Sequence, residues 1–214
     1  MHIPDGFIPF WQCAIYYIIL IVGLYFASKW ARQNLDEKRI PLLAVLAAGI
    51  FAIMSMNMPI PFGTSGHMVG GALVAIIFCA PEAAILVFTV VLIIQALVFG
   101  DGGITTLGAN VLNMAIIGGC TGLYTFKALK GTVGIYASAG IGAWLATVVA
   151  ALACAIEMAI AGTFPLTVGI ASMVTYHIFI GIIEAVLTVI VLMALDKFRP
   201  DLLIWNKNKV EGGE

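Results

Sequence analysis

Residues 168–195 read VGIASMVTYHIFIGIIEAVLTVIVLMAL, a run with no Lys, Arg or Asp and a single Glu, Glu184. It exceeds the ~20 apolar residues that cross the hydrocarbon core of a bilayer. A soluble core does not need such a stretch, so this segment decides the fold class. The rest of the chain agrees with it. Of 214 residues, 62% are hydrophobic and 10% are charged, and the mean hydropathy is +1.10. A soluble domain of this size does not carry that much apolar surface, whereas a set of membrane helices does. No nucleic-acid partner is expected.

Working outward, six more apolar spans precede it, at roughly residues 11–28, 41–58, 68–79, 83–99, 107–126 and 132–161. The 132–161 run is longer than a bilayer requires and is expected to tilt or kink near its glycines. The predicted fold is therefore an all-α integral membrane protein, a bundle of about seven transmembrane helices in a single domain, 1–214. Residues 1–10 form an N-terminal segment broken by Pro4, Gly6 and Pro9, and 196–214 form a polar tail.

Charge sets the expected orientation. Lys29, Arg32, Lys38 and Arg39 follow the first span, Lys127 and Lys130 the fifth, and Lys197, Arg199, Lys207 and Lys209 the seventh. With seven spans, all ten Lys and Arg fall on one face, which the positive-inside rule assigns to the cytoplasm. Met1, the 59–67 loop, the Asp101 loop and the 162–167 loop then lie outside, and the chain is placed in the cell inner (plasma) membrane. Cys13, Cys79, Cys120 and Cys154 all sit in apolar runs without metal-binding spacing and read as small buried residues. No basic residue precedes the first span and no A-x-A-like site follows it, so Met1 is expected to be the mature N-terminus.

That terminus carries the chemistry. Met1-His2 offers an α-amine, the backbone nitrogen of residue 2 and an imidazole within a few bonds. A flat all-nitrogen set suits Ni(II) or Cu(II). His67, in Gly63-Thr64-Ser65-Gly66-His67-Met68-Val69-Gly70-Gly71, falls on the same outer face as His2. Irregular backbone at membrane depth is tolerated where it lines a protein cavity, so the two can meet. The bland alternative makes Ser65 or Thr64 an N-cap, with His67 in the first helical turn and Gly66, Gly70 and Gly71 as close-packing positions. Asn57, Ser65 and Asn110 are candidates to orient the ligands. Gln95, Asn113, Glu157, Glu184 and His177 lie in apolar spans and should face the bundle interior, with their roles open. Met54 and Met58 could share a helix face; Met54, Met56 and Met58 are read as core residues rather than a thioether site. The Gly-rich stretch lacks a Gly-Lys-Ser/Thr ending, so no nucleotide site is expected and any ATPase is another chain.

Met1-His2-Ile3-Pro4-Asp5-Gly6, the Asn57-Met58-Pro59 turn and the Ser65-Gly66-His67-Met68-x-Gly70-Gly71 stretch together resemble the CbiM/NikM family. These are substrate-binding membrane subunits of energy-coupling-factor (ECF) importers for nickel and cobalt. The resemblance covers the whole chain. It implies four nitrogens around the ion: the Met1 amine, the backbone nitrogen and imidazole of His2, and the His67 imidazole. Pro4-Asp5-Gly6 looks closer to the nickel branch, with Co(II) as the second ion. The implied partners are a scaffold transmembrane (T) subunit, ATPase subunits and a small accessory membrane subunit. Ala44 with Ala48, and Gly23 with Ala27, are candidate docking faces for the scaffold.

Two other readings compete. Gly63-Thr64-Ser65-Gly66 with His177 could form the Ser–His pair of a rhomboid-like intramembrane protease, but that leaves Met1-His2 unexplained. An ATP-independent metal channel or carrier is the third.

Overall fold

The computed structural model describes residues 1–60 and 64–206, without the side chains of Thr64 and Asn206. Seven helical segments form the bundle among these residues: α1 Phe10–Asn34, α2 Arg39–Met54, α3 Gly71–Phe78, α4 Pro81–Phe99, α5 Leu107–Val133, α6 Ile135–Ile160 and α7 Leu166–Phe198. Five of them, all except α2 and α3, are long and apolar enough to cross a membrane. The burial pattern is that of a bundle in lipid. Large apolar side chains such as Phe10, Ile18, Tyr25, Phe179 and Ile183 point outward, while Gln12, Gln95, Asn110, Asn113, Glu157, His177 and Glu184 point in.

At the centre stands α3, all eight residues of which are buried. It is short because Gly70, in the left-handed region at φ +83°, starts it and the chain turns again at Cys79, before Pro81 opens α4. Small residues let neighbours touch its backbone. A Cβ on Gly122 of α5 would run into Ala72, and one on Gly142 of α6 would stand 2.6 Å from the Gly122 carbonyl oxygen.

Several expectations are corrected. Helix α1 runs past the predicted end of the first span, at residue 28, to Asn34, so Lys29 and Arg32 sit on its last turns. Helix α2 ends at Met54, and the predicted 59–67 loop carries a two-stranded antiparallel hairpin, β1 Met58–Ile60 with β2 Thr64–Gly66. Pro61, Phe62 and Gly63 lie outside the described residues. Met54 is buried in the core, whereas Met56 and Met58 are exposed. Met58 is in a strand, so it cannot share a helix face with Met54.

The helix start at α3 belongs to Gly70 rather than Ser65 or Thr64, and His67 precedes the helix instead of occupying its first turn. The close-packing reading of the glycines does hold: a Cβ on Gly66 would meet Ile60 and Ile180, and one on Gly70 would meet Ile50. The long 132–161 run is a single span without a break at its glycines, α6 from Ile135 to Ile160. Gly134 at φ +86° ends α5 and begins α6, which is an unbroken α-helix.

The tail is not polar from its start. Leu202 and Leu203 are buried, and Trp205 packs on Phe126 with ring centroids 6.2 Å apart. Lys207 and Lys209 lie outside the described residues. Finally, Gly23 and Ala27 face inward. Ala27 is buried, and a Cβ on Gly23 would contact Ile116 and Ile85 at 3.5 Å, so that pair is no docking surface. Ala44 and Ala48 remain exposed.

Candidate metal centre

The first nine residues precede α1 and turn back into the bundle, with Met1, Ile3 and Ile8 buried. Two anchors hold them. The Asp5 carboxylate accepts hydrogen bonds from Ile104 N (3.2 Å), Thr105 N (2.8 Å) and the Thr105 hydroxyl (2.6 Å). These bonds keep its carboxyl below the usual range, the Thr105 hydroxyl foremost. Deeper in, the peptide of Ile3 is read from both sides by Asn110: Ile3 N donates to Asn110 Oδ1 at 2.8 Å, and Asn110 Nδ2 donates to Ile3 O at 3.1 Å. The Thr106 hydroxyl donates to the same carbonyl. Extended backbone with no helical partner is satisfied here by side chains, as burial demands.

These anchors deliver the terminus to the hairpin. The Met1 amine donates to the carbonyl of Ser65, at 2.5 Å, and the His2 and His67 rings lie with centroids 4.5 Å apart. Thus Met1, His2 and His67 come together. The orienting candidates are close by. Ser65 supplies its backbone oxygen, Asn110 grips Ile3, and Asn57 Nδ2 donates to Asp101 Oδ2 at 2.8 Å. The other oxygen of Asp101 lies 3.2 Å from His2 Nδ1.

Hydrogen bonds fix which ring nitrogens keep a free lone pair. His67 Nδ1 faces the Met68 carbonyl at 2.8 Å, which can only accept, so Nδ1 carries the proton. His67 Nε2 is then a buried lone pair without a hydrogen-bond partner. His2 Nε2 lies 3.2 Å from Gln95 Oε1, and Nδ1, which has no hydrogen bond, stands beside Asp101; in the tautomer in which Nε2 donates to Gln95, Nδ1 is the lone pair. An unpartnered buried polar atom costs about 1–3 kcal/mol, so two such nitrogens beside a buried amine form a set of vacant donors. Burial pushes the amine down to about 6, against the pull of Cys154 and Asp101. Burial, reinforced by the amine, lowers His2 to about 4. Burial likewise takes His67 well below its ordinary value. These shifts favour the neutral, metal-binding form of all three nitrogens.

A cavity of about 160 Å³ opens beside Met1 and His2, lined also by Cys154 and Met173. Among the described residues, no group of three or more His, Cys, Asp or Glu side chains gathers.

Sequence reasoning placed Gln95, Asn113, Glu157 and Glu184 in the bundle interior without giving them roles, and it singled out neither Asp101 nor Met173. Asp101 was signalled only as an acid on a face without basic residues. Gln95 lies in a π-helical stretch, Gln95–Phe99, and Met173 in another, Ile170–Val174. Such bulges are frequent at functional sites but have no sequence mark. Glu184 accepts hydrogen bonds from Val69 N (2.7 Å) and Gly70 N (2.8 Å), which clamps the link between His67 and α3. Glu157 accepts from Asn113 Nδ2 at 2.6 Å. Cys154 Sγ contacts the Met1 carbonyl at 3.7 Å. The proposed protease pair has no support in these contacts. His177 Nδ1 bonds the Met173 carbonyl, and the Ser65 oxygen in use is its carbonyl.

The comparisons with known proteins converge on one family. The family described as CbiM, cobalt uptake substrate-specific transmembrane region, matches residues 2–202. A Methanocaldococcus jannaschii protein named as a metal transport protein is 40% identical over 99% of this chain and 99% of its own length. The fused nickel transport protein NikMN of Rhodobacter capsulatus is 34% identical over 95% of this chain and 64% of its own. A crystal structure titled as a transition metal transporter superimposes with a TM-score of 0.87 at 35% identity, covering 100% of both chains. A truncated one gives 0.86 at 36%, covering 92% of this chain and 99% of that one. With a model match over nearly its whole length, this multi-pass membrane chain belongs to the CbiM family, the substrate-specific membrane components of cobalt and nickel uptake transporters, and is not an enzyme.

Proposed function

We propose that this chain captures Ni(II), with Co(II) as a second substrate, in a flat four-nitrogen site and delivers it to an ATP-driven importer of the ECF type. The four donors are the Met1 amine, the backbone nitrogen of His2, His2 Nδ1 and His67 Nε2. The observation that carries this reading is the pair of imidazoles with centroids 4.5 Å apart, each with a vacant lone pair. Gln95 and Met68 O supply the outer hydrogen bonds that orient imidazole ligands in metal sites. Asp101, close to His2 Nδ1, adds negative charge where a cation would sit.

In this reading residues 1–10 are the metal-binding segment of a single transmembrane domain, the N-terminus faces outside and the C-terminus the cytoplasm. The ion enters from outside past the N-terminal segment and the hairpin. It leaves inward when ATPase subunits act through a scaffold T subunit, and a small accessory membrane subunit completes the assembly. The exposed Ala44 and Ala48 on α2 are the remaining small-residue docking face. The fused NikMN relatives support partner subunits in an ECF transport system. Uptake of radioactive nickel into vesicles tests the assignment. Uptake should require ATP and the partner subunits together, whereas uptake by the chain alone would establish the ATP-independent carrier instead.

A further inference from the structure

Helix α7 grips the segment that carries His67 on both sides of that residue. Ile180 Cδ1 lies 2.6 Å from where a Cβ on Gly66 would be, so α7 packs on the residue before His67. One turn further on, the buried Glu184 holds Val69 N through Oε2 at 2.7 Å and Gly70 N through Oε1 at 2.8 Å. The bond to Val69 matters most. Val69 N–H and Met68 C=O belong to one planar peptide group, so fixing the N–H fixes where the carbonyl points. That carbonyl accepts the proton of His67 Nδ1 at 2.8 Å. A continuous chain therefore runs from the Glu184 carboxyl through the 68–69 peptide to His67 Nδ1. It leaves Nε2, buried and without a hydrogen-bond partner, as the lone pair. Each bond in such a chain polarises the next.

We propose that Glu184 is a positioning residue for His67: by holding the 68–69 peptide it fixes the tautomer and orientation of the imidazole, and with them the nitrogen offered to the ion. The inference rests on His67 being a ligand of Ni(II), as proposed above. In metal sites a ligating imidazole donates its other N–H to a carboxylate or a carbonyl; here one peptide stands between the ring and the carboxyl. A purely structural role for Glu184 would be to cap α3, since Gly70 starts that helix. Capping needs the two amides but makes no demand on the His67 ring.

The test compares the full chain with Glu184→Gln, which keeps the side chain's length and one acceptor oxygen but turns an NH2 toward the second backbone N–H. The chain has three histidines, so nitrogen-15 NMR of histidine-labelled, metal-free protein separates them, with His67→Gln assigning the His67 signals. His67 should be a single Nδ1–H tautomer in the unaltered chain and a mixture in Glu184→Gln. Calorimetric Ni(II) affinity should fall by about 10- to 100-fold, the range for groups that orient a metal ligand. An unchanged tautomer, or an affinity within about threefold, would overturn the proposal and leave Glu184 a helix cap. A measurement on the unaltered protein covers a variant that does not fold. On loading with Ni(II), the carbon-13 carboxyl signal of Glu184 should move, because an ion drawing on Nε2 strengthens the Nδ1–H bond and the chain behind it. A signal that stays in place would also overturn the proposal. His67→Gln keeps the two claims apart. If it binds Ni(II) as tightly as the unaltered chain, the four-nitrogen reading has failed. Loss of binding there, with none in Glu184→Gln, sinks the positioning role alone.

Discussion

Asn110→Ala should separate the docked N-terminus from the bundle without dismantling it. Asn110 is buried and bonds both the N–H and the carbonyl of Ile3, at 2.8 and 3.1 Å. Removing it leaves Ile3 N–H buried without an acceptor, at about 1–3 kcal/mol. It also deletes one donor to Ile3 O, worth about 0.5–1.5 kcal/mol, although Thr106 still serves that carbonyl. The docked state should therefore lose about 2–4 kcal/mol. If that state is the one that binds the ion, Ni(II) affinity falls by about 30- to 1,000-fold, at 1.4 kcal/mol per decade. Water reaching the Ile3 amide would move the result toward the lower figure. Calorimetric Ni(II) titration supplies the assay, and a thermal melt followed by circular dichroism checks that the helices persist. An affinity within threefold of the unaltered chain, with an unchanged melt, would refute the claim that docking of residues 1–9 creates the site.

Proton release gives a second prediction. Burial lowers these bases, so their neutral, metal-ready forms prevail above the lowered values and are lost as pH falls through them. With the amine at about 6 and His2 at about 4, Ni(II) binding near pH 7.5 should release roughly one proton, from the His2 amide. Near pH 5 it should release roughly two, the second from the amine, which calorimetry in buffers of different ionisation heat can count. Gly103→Ala should weaken Ni(II) binding, because its Cβ would collide with the backbone nitrogen and carboxylate of Asp5; a titration at wild-type level would show that the Asp5 anchor is dispensable. Ser65→Ala should leave Ni(II) affinity within about threefold, since the amine meets the Ser65 carbonyl and not its hydroxyl. A large loss there would return the hydroxyl to the mechanism.

The helices were legible because each apolar run has to satisfy its own backbone in lipid, and hydropathy records that directly. Their ends were less so. Lys29 and Arg32 continue α1 because long basic side chains can extend from a helix end into the interface. Helix α5 runs on past its predicted end to Val133, and Gly134 alone separates it from α6. The hairpin was missed because Pro59 and its neighbours read as loop, while its pairing of Met58 with Gly66 depends on the bundle around it. Met1, His2 and His67 could be named from residue type and position. What holds them could not, because Asp5 meets Thr105, and Ile3 meets Asn110, across about a hundred residues of chain. Nothing local in the sequence marks such contacts.

The central claim is that the chain's own N-terminus is the ligand. It is tested most directly by titrating Ni(II) into the protein with its native N-terminus and into a variant with Gly inserted between Met1 and His2. The insertion preserves every helix, charge and histidine but enlarges the chelate and shifts the amine away from Ser65 O. High-affinity binding should disappear in the variant. Binding at the native level would contradict it and leave His67 to assemble a site from other ligands.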